Sequence, residues 1–191
     1  MRALFRGALA GALALAAHAS AAAPAFEDRS FEARVGDVRL QARLVEQGKA
    51  DDERVRVTVP AAMFEPPVRI DDVRDYGGGD GRLIGFLADY WRANLRGDAR
   101  AVVEAWCPGA RERIRRFVAN ESLFERNRRA LEKRPGLDVL GLVRHRETIS
   151  ILQDRGHTVT GVTVRTADGG PCLVDAPADD LELAIIEASF E

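Results

Sequence analysis

LIGFLADYWRANLRGDARAVVEAWCPG, residues 83–109, is the stretch that decides the fold. Leu83, Phe86, Leu87, Tyr90, Trp91 and Leu95 fall on one stripe of a 3.6-residue period, which predicts an amphipathic helix. Gly97 closes it, because the residue after a helix commonly adopts positive φ and glycine does so at no steric cost. Asp98 then offers its carboxylate to the first N–H groups of a second helix, which turns Val102, Val103 and Trp106 inward and stops at Cys107-Pro108-Gly109.

The helical character continues downstream. Ile114, Phe117 and Val118 form a third stripe within a run bearing Arg111, Arg113, Arg115 and Arg116. Ser122 and Glu125 have the spacing of a capping box for a fourth helix through about Lys133, stopped by Pro135-Gly136. From Val139 to Leu152 the chain is rich in β-branched and apolar residues and reads as a long strand, which Asp154-Arg155-Gly156 turns into another from His157 to Thr166. Asp168-Gly169-Gly170 precedes a short strand around Cys172–Val174, and a last strand is expected from Leu181 to Phe190.

Upstream, Phe31, Ala33 and Val35 alternate with polar residues, Gly36-Asp37 supplies a turn, and Val38, Leu40, Ala42 and Leu44 resume the alternation. Val55, Val57 and Val59 mark a third strand ending at Pro60, and the prolines and glycines of residues 60–81 make a joint. The expected fold is therefore α+β: a helical layer packed on a curved antiparallel sheet, with an N-terminal β-meander extension. Residues 22–81 and 82–191 are expected to form one compact unit.

Arg2 and Arg6 precede an unbroken small and apolar run of 11 residues, Gly7–Ala17, followed by Ala-x-Ala choices around Ala17, Ala19 and Ala21. That order is the signature of a cleavable signal peptide over residues 1–21, with the cut after Ala19 or Ala21. A membrane span needs ~20 residues, so the run is too short for a retained anchor. Removing Arg2 and Arg6 leaves 26 basic residues against 30 acidic ones, a net charge of −4. An acidic exported chain is a poor general nucleic-acid binder.

Export also bears on the cysteines. Cys107 and Cys172 are both in the mature chain, and an oxidising compartment favours a disulfide between them. The alternative is a pair of buried free thiols. Neither cysteine has a nearby histidine in sequence that would activate it as a nucleophile.

Few residues carry chemistry. Counted along the strand from Val139, His145 and Glu147 fall in phase with an apolar face, where proton transfer near neutral pH becomes available to them. Tyr90 and Trp91 are candidates to line a cavity for a small apolar ligand, though aromatics at helical spacing, Trp106 included, normally fill a core. Arg144 and Arg146 flank the His145/Glu147 pair and argue for an exposed sheet rim instead. His145 and His157 lack a clustered third ligand, so no metal site is expected. The Gly77–Gly81 run lacks the lysine of a phosphate loop and carries Asp80, which would repel an anion, so no cofactor is expected. Charge is segregated: residues 111–134 hold nine basic and four acidic residues, whereas 166–191 hold seven acidic and none basic. The basic helices meet an anionic envelope partner, or face the acidic tail, or both regions are solvated surfaces.

The stretch from Phe86 to Val103, with Trp106 and Pro108 after it, resembles the opening of the nuclear-transport-factor-2-like (cystatin-like α+β) superfamily. The resemblance covers roughly residues 82–190 and implies two helices joined by a Gly-Asp turn and wrapped by a curved antiparallel sheet. Pro108–Val118 departs from it by reading as further helix where a short strand is expected, and the strands at 31–59 lie outside its core. It transfers no catalytic residue, since its members share a pocket shape rather than a signature. The expected function is a non-catalytic exported binding or accessory protein of the cell envelope. The rivals are a small pocket enzyme, hydrolase or isomerase, using His145 and Glu147, and an oligomeric interaction module, for example a homodimer.

Overall fold

The computed structural model of this chain describes residues 25–34, 54–71, 81–133, 137–145, 147–156, 158–167, 170–175 and 180–190. The expected signal segment, the expected strand at Val38–Leu44, the glycines at 77–79 and His157 lie outside them. The elements in chain order are β1 (Glu27–Arg34), β2 (Arg54–Arg69), α1 (Gly81–Arg96), α2 (Ala99–Glu104), α3 (Pro108–Ala119), α4 (Glu121–Glu132), β3 (Asp138–His145), β4 (Thr148–Asp154), β5 (Val159–Ala167), β6 (Gly170–Leu173) and α5 (Leu181–Ala188). The strands form one antiparallel sheet in the order β1-β2-β3-β4-β5-β6, with the helical layer packed on it.

β1 pairs along its whole length with β2, from Glu27 opposite Ala61 to Arg34 opposite Arg54. The first strands therefore belong to the same sheet as the rest. β2 does not end at Pro60 as its proline suggested but runs on to Arg69, pairing with β3 on both sides of a break between Met63 and Val68. Pro66 and Pro67, which have no N–H to give a ladder, fall inside that break.

The two faces of the sheet are sorted by the two-residue alternation of its strands. Leu142 and Ile151 face the helical layer, where Leu83, Ile84, Leu87 and Ala88 of α1 complete the main core. Val143 and Leu152 face the other way, onto Leu183 and Ile186 of α5. The helix α5 replaces the strand expected at Leu181–Phe190. Leu181, Leu183, Ala184, Ile185 and Ile186 are all buried, and an apolar run buried all round has no period by which to tell helix from strand. Its local signal is Asp180, whose carboxylate accepts from the Leu183 N–H at 3.1 Å. Helices thus cover both faces.

In the helical layer the expected signals act as read. Gly97 sits at φ +69°, and Asp98 accepts from the Ala101 N–H at 3.0 Å. α4 differs in detail: its cap is Asn120, which accepts from Leu123 N–H, and Ser122 donates its hydroxyl to Asn120. Ser122 therefore lies in the first turn of the helix it was expected to cap, two residues past the cap. Asn94, buried in α1, donates to the Tyr90 carbonyl and accepts from Asn127 of α4 at 3.2 Å, so its amide is satisfied while joining two helices.

Candidate functional site

His145 is the last residue of β3 and follows Val143 by two, which places it on the α5 side of the sheet. Its Nδ1 lies 2.5 Å from Glu182 Oε2 and its Nε2 3.9 Å from Asp180 Oδ2. Both carboxylates belong to the start of α5, where anionic groups complement the helix dipole. Each ring nitrogen thus faces a carboxylate, and the cluster is a clasp between the end of the central strand and the start of the covering helix. Asp180 serves both as cap and as clasp. Asp180→Ala is expected to lower stability in urea by about 1 kcal/mol, with Asp180→Asn, which keeps the cap, losing less than half of that.

Glu147 is not part of this cluster. His145 pairs with Thr148, so the chain reverses between them, and Glu147 stands exposed in the turn. The long strand of the sequence reading is in fact the β3–β4 hairpin. A two-residue connection without glycine or asparagine gave no turn signal, and strand counting carried straight through it. Glu182, hidden in what read as a strand, is the carboxylate that meets the histidine.

Tyr90 and Trp91 are half-buried on α1 and pack against the main core, on the opposite face of the sheet from His145. Tyr90 meets Trp106 edge-on, with ring centroids 6.4 Å apart. The sheet stands between these aromatics and the histidine, so the four candidates do not share one cavity. Among the described residues, no group of three or more His, Cys, Asp or Glu is placed to hold a metal ion, and no helix is long and apolar enough to cross a membrane.

Cys107 and Cys172 are joined by a disulfide, with Cα atoms 5.0 Å apart. Beside it the Cys107 N–H donates to the Leu173 carbonyl and the Leu173 N–H to the Ala105 carbonyl, each at 2.9 Å. The bond fastens the α2–α3 junction to β6, and neither sulfur is left as a thiolate nucleophile.

The basic helices are neutralised in part within themselves. Arg115 and Arg116 reach Glu112, and Arg128 pairs with Glu125 and Glu132. Hydrogen bonds from Arg128 and then Arg129 hold the Glu125 carboxyl down to about 2. Arg111 donates to the Trp106 carbonyl at 2.8 Å, and Arg113 pairs with Asp175 of the acidic tail. Arg113 also lies over the Trp106 ring, 5.7 Å from its centroid. The segregated charges thus meet in part across the molecule.

An open cleft of about 410 Å³ lies at the other end of the sheet, between the starts of β1 and the bend of β2. Glu27, Asp28 and Glu65 line it with Arg29 and Met63, which gives it an acidic rim. Sequence gave no sign of it, because it depends on strand register placing Glu27 beside Ala61. No family model, curated protein or solved structure matches the chain.

Proposed function

We propose that this protein is exported and acts as a non-catalytic binding or accessory domain of the cell envelope. The observation that carries the reading is the Cys107–Cys172 disulfide, a bond that persists outside the reducing cytoplasm. The arginine-flanked apolar run of residues 2–17 supports the same compartment. The likeness of Phe86–Val103 to the nuclear-transport-factor-2-like superfamily is carried forward as a proposal, supported by the Gly97-Asp98 turn between α1 and α2 and by the antiparallel strands that follow α4. The pocket-enzyme reading required Glu147 beside His145, and it loses its carboxylate to the exposed turn.

Mature protein recovered from the envelope of its host is expected to begin at Ser20 or Ala22 and to take up no thiol-alkylating group when denatured without reductant. Folded protein that keeps Met1, is recovered from the cytosol and alkylates at both cysteines would overturn the proposal.

A further inference from the structure

β1 is the outermost strand of the sheet, and among the described residues nothing pairs with its outer edge over eight residues. An edge of that length is a template for another strand unless charge or shape forbids it. We propose that its occupant is β1 of a second copy of this chain, joined antiparallel about a two-fold axis at Phe31, so that two sheets become one.

The charges select this register. A two-fold axis perpendicular to a continuous sheet keeps each face on its own side, so residues opposite one another share parity. With the axis at Phe31, Asp28 lies opposite Arg34 of the second copy, Ser30 opposite Glu32, and Arg29 opposite Ala33, each contact made twice. Moving the axis to Ser30 sets Asp28 against Glu32, and moving it to Glu32 sets that carboxylate against itself. Asp28 and Arg34 are both exposed, and neither takes part in an ion pair among the described residues. The ribbon is also polarised: Arg34, Arg54 and Arg56 lie at one end with Glu32, while Glu27, Asp28 and Glu65 lie at the other with Arg29. Antiparallel pairing brings each basic end to the acidic cleft of the other copy.

A second observation points to the same place. Phe190 is one of two large apolar side chains left exposed among the described residues, at 38 %, and its ring lies 6.1 Å from that of Phe31. An axis at Phe31 brings both Phe31–Phe190 pairs together and covers the exposed rings.

The inference is independent of the proposed export, and one preparation separates the two. Sedimentation of the mature, oxidised chain at micromolar concentration is expected to show a reversible dimer that weakens as salt is added. Arg34→Glu and Asp28→Arg are each expected to weaken it roughly tenfold, because symmetry applies every change twice, and the double variant should recover it. Both sites are exposed, and unchanged circular dichroism would show the variants folded. A monomeric wild-type chain overturns the inference, whether the edge is bare or covered by residues 38–44 of its own chain. So does a dimer indifferent to the reversals, or one the double variant fails to restore. Cleaved, oxidised protein that is monomeric leaves the export proposal standing.

Discussion

Replacing both Cys107 and Cys172 with serine is expected to destabilise the protein by about 4 kcal/mol, because the bond closes a loop of large sequence separation. The two cysteines are 65 residues apart, and tying them removes much of the freedom of the unfolded chain. On the native side, the backbone bonds between Cys107, Ala105 and Leu173 and the Arg113–Asp175 pair still hold β6 to the helices, so the folded shape should survive. The loss is expected in the unfolded reference, and either single substitution should cost nearly as much as the pair. In thermal unfolding this corresponds to a fall of about 10 °C for a chain of this size. Urea titration of the oxidised and substituted proteins gives the number directly. A loss below about 1 kcal/mol would mean that the unfolded chain keeps these segments together without the bond.

The second large effect is expected at a glycine. Gly141 lies in β3 between β2 and β4, and a methyl group there would come within 2.6 Å of Met63 Sδ and 2.7 Å of the Ala62 carbonyl oxygen. The methionine can swing aside; the carbonyl belongs to the backbone of the paired strand and cannot. Gly141→Ala is therefore expected to cost about 3 kcal/mol, at the upper end of what overpacking does. Gly161 makes a useful contrast, since its added methyl would meet the Leu183 Cδ1 methyl at 2.7 Å, the free end of a side chain on α5. Gly161→Ala should cost about 1 kcal/mol. A methyl added at Gly85, within α1, meets nothing within 4 Å among the described residues, and Gly85→Ala should gain about 0.5 kcal/mol from helix propensity and a stiffer unfolded chain. Denaturation of the three variants checks the order, and equal costs at 141 and 161 would refute the distinction between backbone and side-chain obstruction.

Local signals were legible in the sequence and relational ones were not. The α1–α2 corner was readable because Gly97 and Asp98 act on their own neighbours: one by its backbone freedom, the other by a bond to an N–H three residues on. α5 was misread because Leu183-Ala184-Ile185-Ile186 is buried from all sides, and burial from all sides erases periodicity. Asp180, placed as a helix cap, was the clue that separated the readings. The His145 site failed for a different reason. Counting along a strand places a residue on a face only while the strand continues, and between His145 and Thr148 it does not. The carboxylates that meet His145 came from a helix more than thirty residues away. The cleft beside β1 was illegible altogether, since Met63 and Glu65 meet Glu27 and Asp28 only through pairing.

The bond between the α2–α3 junction and β6 also makes a covalent ring. Helices α3 and α4 and strands β3, β4 and β5 all lie on the arc between Cys107 and Cys172, so a single cut by a protease at Arg155-Gly156 opens the ring without releasing a fragment. The nicked molecule remains one particle as long as the disulfide stays intact. Where degradation is concerned, half of the sheet's six strands are thereby held together twice, once by the ladder and once by sulfur.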